Sequence, residues 1–158
     1  MSSMDWAVVR QIYLEGVASG QATFETEAPA WEAWDGNHNA FGRLIATVDH
    51  EVVGWAALGP VSSRKVYRGV AEVSVYVAAK SRGHGFGRVL LEALIQEAEK
   101  NGIWTMQASI FPENEASIEL HRRCGFHEVG RRARIAKLNG VWRDTVLMER
   151  RSSTVGSN

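Results

Sequence analysis

The stretch that decides the fold is Val70-Ala71-Glu72-Val73-Ser74-Val75-Tyr76-Val77-Ala78-Ala79-Lys80-Ser81-Arg82-Gly83-His84-Gly85-Phe86-Gly87-Arg88-Val89-Leu90-Leu91. It opens with period-two alternation from Val70 to Ala79, placing Glu72, Ser74 and Tyr76 on one face of a strand and Val73, Val75 and Val77 on the other. It closes with helical spacing through Val89, Leu90, Ala93, Leu94 and Ala98, predicting a helix from Gly85 to Lys100 that Asn101-Gly102 stops. Between them, the alternate glycines of Arg82-Gly83-His84-Gly85-Phe86-Gly87 permit a tight turn and let a ligand approach the backbone at the start of a helix. A phosphate group fits such a turn, and so does a plain strand-to-helix connection. It is not a P-loop, because no Gly-Lys-Ser/Thr follows, and the Gly-x-Gly-x-x-Gly dinucleotide spacing is absent.

Working outward, Val8, Val9, Ile12, Tyr13 and Val17 recur at helical spacing after Asp5, and Gly20 ends that helix. Pro29 to Asn37 suits a short helix carrying Trp31 and Trp34. Arg43–Val48 and Val52–Leu58 read as a hairpin joined by Asp49-His50-Glu51, and a polar loop from Ser62 to Gly69 follows. Downstream, Ile103 to Phe111 is strand, Pro112 breaks it, and Asn114 caps a helix to about Arg123 that Gly125 ends. His127–Leu138 and Val141–Glu149 form a closing hairpin around Asn139-Gly140. Residues 1–149 read as one domain and 150–158 as a frayed tail.

Composition narrows the function. The 18 Lys+Arg balance 18 Asp+Glu, which argues against a nucleic-acid binder held by bulk charge, so any anionic ligand must be held locally. With Cys124 as the only cysteine, no intramolecular disulfide and no cysteine-based zinc site can be assembled, and no metal is expected. No window offers the apolar run of a membrane span, and a cytoplasmic location follows as the expectation.

Two separated motifs in the right order then carry a resemblance. Arg82-x-x-Gly85-x-Gly87, preceded by Val75-Tyr76-Val77 and followed by Asn114-x-x-Ser117-x-x-Leu120-His121-x-x-x-Gly125-Phe126, resembles the acetyl-CoA-binding core of the GNAT superfamily of N-acetyltransferases. Within it, Phe24-Glu25, Arg64-x-x-Tyr67, Glu72-x-Ser74-Val75-Tyr76-Val77, His121 and Gly140-x-Trp142-x-Asp144-Thr145-Val146-Leu147-Met148 resemble the phosphinothricin and methionine sulfoximine acetyltransferase branch. The likeness runs from Trp6 to Glu149.

The resemblance implies a mixed α/β fold: a twisted, mostly antiparallel sheet flanked by helices, splayed between the Glu72 strand and the Ile103 strand at an acetyl-CoA cleft. Relatives carry a further strand before the first helix. Met1 to Met4 leave no room for it, so the sheet is expected to lack that edge strand unless the natural start lies upstream. The coenzyme pyrophosphate is expected on the amides of Gly83, His84, Gly85, Phe86, Gly87 and Arg88, with Arg82 or Arg88 adding charge. The pantetheine arm would pair with the backbone of Val75, Tyr76 and Val77, and Asn114 and Ser117 would contact the coenzyme from the next helix. For Asn114 a helix cap is an equally good and compatible reading.

An amine of pKa about 8 or above arrives protonated, so a base is needed, and Glu72 matches the family carboxylate in that role. Read without the family, it is a glutamate ion-paired with Arg64 or Arg68. His121 stands where the superfamily usually carries tyrosine, and it either donates a proton to the departing thiolate or holds a water. Arg64 and Tyr67, joined by Ser62, match positions that bind the α-carboxylate of an amino-acid-like acceptor; a solvated basic loop is the plainer reading. Trp55, Trp104 and Trp142 read as core, Cys124 as a small buried residue, and Arg131, Arg132, Arg134 and Lys137 as a solvated face. His38, His50 and His127 show no partner pattern.

The expected activity is acetyl transfer from acetyl-CoA to a small acceptor such as methionine sulfoximine, methionine sulfone or phosphinothricin, by an enzyme expected to be a homodimer. The alternatives are an acetyltransferase for another amine, a non-catalytic acyl-CoA-binding sensor, and, last, a nucleic-acid binder.

Overall fold

The computed structural model describes residues 1–158. After a short 3-10 turn at Ser3–Asp5, helix α1 (Trp6–Ser19) and helix α2 (Trp31–Gly36) precede a hairpin of β1 (Leu44–Val48) and β2 (Glu51–Pro60). Strand β3 (Val70–Val77) leads through the glycine turn into α3 (Phe86–Lys100), and β4 (Thr105–Ile110), α4 (Glu115–Arg123), β5 (His127–Leu138) and β6 (Val141–Arg151) complete the chain. The six strands form one sheet in the order β1-β2-β3-β4-β6-β5. All neighbours are antiparallel except β3 and β4.

The alternation along β3 sorts its residues between two cores. Val73, Val75 and Val77 pack with the inner face of α3, where Leu90, Leu91, Leu94 and Ala98 are buried at helical spacing. Burying each such leucine stabilises the fold by roughly 1.5–3 kcal/mol. Tyr76 faces the opposite side, against a second cluster of Trp6, Val9, Ile12, Trp34 and Trp55 supplied by α1, α2 and β2. The two hairpins are closed by Asp49-His50 and Asn139-Gly140, all four at positive φ, the geometry of a tight two-residue turn that matches strand twist.

No strand precedes α1. The chain's amino terminus instead donates to the carbonyl of Arg43 at 3.3 Å, beside the start of the edge strand β1. No helix is long and apolar enough to cross a membrane.

The frayed tail expected from Arg150 is corrected. Strand β6 runs on to Arg151, because Thr105 and Met106 of β4 pair with Arg151 and Arg150. The Arg150 guanidinium reaches Glu99 at 2.9 Å, the buried Ser152 hydroxyl donates to the same carboxylate at 2.9 Å, and the Ser152 amide bonds the carbonyl of Trp104 at 2.8 Å. Arg151 is held by the carbonyls of Trp104, Val155 and Gly156. Polar side chains with little to bury gave no periodic signal, and partners more than forty positions away order them. Trp142 also departs from its reading as core: it lies exposed on the outer hairpin, under Arg134 and Lys137. Trp55 is fully buried and Trp104 half-buried.

The Arg150 guanidinium holds the Glu99 carboxyl below the usual glutamate range, against the opposing effect of burial. A carboxyl depressed on folding contributes stability that is complete above its unfolded pKa of about 4.3 and is lost as pH falls through its lower folded value. Glu99→Gln is therefore expected to cost about 1 kcal/mol at neutral pH by urea denaturation, with the gap to wild type closing below about pH 4.

Candidate active site

Strands β3 and β4 pair in parallel at only three positions, Val70 with Thr105, Ala71 with Met106 and Glu72 with Gln107. Beyond Glu72 they part: β3 continues to Val77 paired only with β2, and β4 continues to Ile110 paired only with β6. A cleft of about 710 Å³ opens at this fork. The outward backbone groups of β3 past Glu72 face it with no strand to pair with, an edge suited to an extended ligand.

At one end lies the glycine turn. Gly83 and Gly85 adopt φ values of 78° and 84°, where a side chain would be strained. The amides from Gly83 through Arg88 have no acceptor in the chain: Arg82 N–H still bonds Ala79, and the next bonded amide is Val89, to Gly85. Successive free amides at the start of a 15-residue helix form an anion site by geometry and by dipole. Gly87 matters for a second reason, because a Cβ there would lie 3.2 Å from Leu120 where α3, α4 and β3 converge. Arg82 and Arg88 flank the turn; Arg82 Nε donates to the carbonyl of Val77 at 3.4 Å, and Arg88 is paired with Glu92 at 2.7 Å. The His84 ring folds back on the turn, its Nδ1 lying 2.9 Å from the Arg82 carbonyl.

Glu72 sits at the fork itself, exposed to the cleft, with Gln107 Nε2 donating to its Oε2 at 2.9 Å. No arginine pairs with it, so the ion pair with Arg64 or Arg68 read from the sequence alone is not formed. Asn114 caps α4, accepting from the Ser117 amide at 3.2 Å while its Nδ2 donates to the carbonyl of Gln21 at 3.2 Å; it and Ser117 line the cleft. One turn on, His121 is buried and also lines the cleft. Its Nδ1 lies 2.7 Å from the carbonyl of Ser117, which can only accept, so Nδ1 carries the proton. Burial outweighs this bond and pushes the imidazole below the ordinary histidine pKa. The ring is therefore neutral at pH 7, and Nε2 is its lone-pair nitrogen.

The far wall is aromatic and was largely missed from sequence. Tyr76 stacks on Trp55 at 4.8 Å and meets Tyr13 edge-on at 5.1 Å, while Phe24 meets Phe111 edge-on at 4.8 Å. Burial raises the Tyr76 hydroxyl pKa above the usual tyrosine range. Trp34 and His38 stack at 4.0 Å, and both line the cleft, as do Glu25 and Glu27. Trp55, read as core, and Trp34 of α2 are both buried and both line the cleft. His38 gave no signal because its partner is the carbonyl of Trp34 on its own helix turn, 2.7 Å from Nδ1. Of this wall, the family motifs in the sequence mark Phe24-Glu25 and Tyr76.

The three residues expected at the acceptor carboxylate are not brought into the cleft. On the β2–β3 loop Ser62 is half-buried and Arg64 and Tyr67 are exposed; the Ser62 hydroxyl accepts from the Arg64 amide at 3.2 Å, and the Arg64 guanidinium rests over the Tyr67 ring at 5.4 Å.

The acetyltransferase (GNAT) family profile matches residues 6–126, spanning the fork, the glycine turn and the His121 helix. The chain belongs to the GNAT family. As a GNAT protein it is an acetyl-CoA-dependent N-acetyltransferase. It is 37% identical over 134 residues to an L-methionine sulfoximine/L-methionine sulfone acetyltransferase of Pseudomonas aeruginosa, covering 84% of this chain and 73% of the relative. It superposes with a TM-score of 0.89 and 28% identity on a GNAT phosphinothricin acetyltransferase from Sinorhizobium meliloti solved in complex with acetyl-CoA, covering 100% of this chain and 89% of the other. A ribosomal-protein-alanine N-acetyltransferase from Brucella melitensis aligns with a TM-score of 0.90 and 34% identity, covering 96% and 97%. An NMR titration of His121 is expected to show a midpoint below the free-histidine value of about 6.5, because burial disfavours the imidazolium.

Proposed function

We propose that this enzyme acetylates the α-amino group of a small amino-acid-like acceptor of the methionine sulfoximine, methionine sulfone or phosphinothricin type. The observation that carries the reading is the position of Glu72. It is the last residue before β3 and β4 part, so one carboxylate stands where an edge for the coenzyme arm begins and where the aromatic-walled half of the cleft ends. The names of the relatives supply the acceptor chemistry.

Acetyl-CoA supplies an activated thioester. The chain's residues do the rest. The amides of Gly83 to Arg88 take the pyrophosphate, with Arg82 and Arg88 alongside, and the backbone of Val75 to Val77 takes the pantetheine arm. Asn114 and Ser117 border the coenzyme from α4. Glu72 removes a proton from the incoming ammonium, directly or through water, and its hydrogen bond to Gln107 fixes the carboxylate for that transfer. A backbone amide near Val75 steadies the carbonyl oxygen as negative charge develops on it.

With Nδ1–H committed to Ser117, His121 has no proton on Nε2 to give. It acts as an acceptor that orders a water, through which the second amine proton, shed as the C–N bond forms, reaches the departing sulfur. On this reading Arg64, with Tyr67 and Ser62 beside it, leaves its place over the Tyr67 ring outside the cleft and reaches in from the β2–β3 loop to take the acceptor α-carboxylate. The same reading includes a cytoplasmic homodimer. The reduced, buried Cys124 supports the first, and the exposed Val129, Ile135, Val141 and Trp142 on the outer hairpin support the second.

Glu72→Gln is expected to lower kcat by at least about 100-fold with methionine sulfone as acceptor, while acetyl-CoA binding measured by calorimetry stays within about twofold. Unchanged turnover removes Glu72 from the base role.

A further inference from the structure

Residues 21–25 and 27–29, between α1 and α2, all line the cleft, yet they belong to no helix or strand. The bonds among them are local: the Gln21 amide donates to Ser19 Oγ at 3.2 Å and the Glu25 amide to Thr23 Oγ1 at 3.1 Å. From Ala22 to Pro29 the backbone bonds no other element. The loop is held instead at its root, chiefly by one side chain. Arg143 of β6 donates from Nη1 to the Gly20 carbonyl at 3.1 Å, and from Nη2 to Gln21 Oε1 at 3.0 Å and Glu113 Oε2 at 3.3 Å. Arg143 reaches them because β6 has just left β4: the last pair of that ladder is Ile110 with Val146, and at Arg143 the strand pairs only with Ala136 of β5. Its guanidinium lies over Phe111, 4.0 Å from the ring centroid, and it is Phe111 that meets Phe24 of the loop edge-on. The side chain is only 16% exposed, and no step derived above uses it.

We propose that Arg143 is a positioning residue: it clamps the α1–α2 loop across Phe111 and so sets the aromatic wall of the acceptor half of the cleft before any acceptor arrives. A wall fixed in advance lowers the ordering cost of binding, and it does so for any amine alike, whatever its distal head. The task asks for arginine. A planar guanidinium lies flat on a ring while its in-plane N–H groups fork to a carbonyl, an amide oxygen and a carboxylate, whereas a lysine ammonium is a point charge with no flat face. Asn114 Nδ2 holds the Gln21 carbonyl beside this clamp, and Asn114 also caps α4. The loop is thereby kept in register with the helix that carries His121.

The test is steady-state kinetics on the full chain, with acetyl-CoA affinity measured by calorimetry. Only its choice of acceptor, methionine sulfone, rests on the reading above; should the wild type leave that compound untouched, the acceptor class falls, and the amine that a thiol-release panel finds takes its place. Arg143→Met, which keeps an apolar stem on Phe111, is expected to raise the acceptor KM about tenfold, with kcat within about threefold and acetyl-CoA affinity within about twofold of wild type. Arg143→Lys is expected to recover little of that rise. Gln21→Ala alters an exposed side chain and tests the clamp without disturbing the part Arg143 plays in folding. It is expected to raise the same KM about threefold alone and to add nothing to Arg143→Met, since the two share one bond. An acceptor KM that either variant leaves unmoved, full restoration by lysine, or kcat and acetyl-CoA affinity falling in step with the rise in KM overturns the assignment.

Discussion

The parting of β3 and β4 after the Glu72–Gln107 pair is the constraint on which the rest of the molecule depends. A sheet that stayed paired would bury its backbone groups in ladder bonds and offer a ligand only side chains. Here the partners exist, but each strand turns to its other neighbour, β2 or β6, for the remainder of its length. The fork is affordable because the two strands are clamped elsewhere. Val73 and Met106 share the core under α3, while Leu120 of α4 closes on Gly87 and Val77 at the open end. What the sheet leaves unpaired in its middle is thus a designed edge inside the molecule, protected from other chains by the helices around it.

Helix α1 ties the two halves of that cleft together. Tyr13 forms part of the aromatic wall, Gly16 lets Tyr76 pack so closely that a Cβ would come within 2.7 Å of its ring, and Glu15 accepts the amide of Ala79 at 2.7 Å. Within one helical turn, then, three residues fix the acceptor wall, the side chain of the coenzyme strand and the entry to the glycine turn. The Glu15 bond also consumes the Ala79 amide, and the Ser81 and Arg82 amides bond Ala78 and Ala79, so the unbroken run of free amides begins at Gly83. The anion site has a defined start for that reason.

Much of this was legible in the sequence because it is carried by local rules. The alternation from Glu72 to Val77 assigned each side chain to a face, glycines marked the turn, and Asn114 announced its helix. What was not legible depends on partners distant in sequence. Pattern alone cannot say that Trp34 and Trp55 are both core and pocket wall, since both fates ask for the same residue type. Nor can it show that Arg150 to Ser152 are held by Glu99 and Trp104. The loop of Ser62, Arg64 and Tyr67 is the reverse case: a motif places it at the acceptor, whereas in the chain it stands at the rim with its side chains turned to one another.

The charge balance of the whole chain conceals a local asymmetry that bears on chemistry. A net charge of zero leaves the anion-binding work to oriented amides, which neither attract bulk nucleic acid nor need counter-ions when the coenzyme is absent. On the acceptor side the asymmetry is opposite, with carboxylates at the mouth and at the fork and a histidine held neutral by burial. An ammonium is drawn toward Glu72 by that field, yet a fully charged environment would keep it protonated and unreactive. Glu72 takes one proton before the nitrogen meets the thioester, and a cationic His121 in the same cleft would weaken that base. The same neutrality that makes His121 a poor acid at rest therefore serves the step that precedes it, since a second positive charge in the cleft would compete with the ammonium for Glu72.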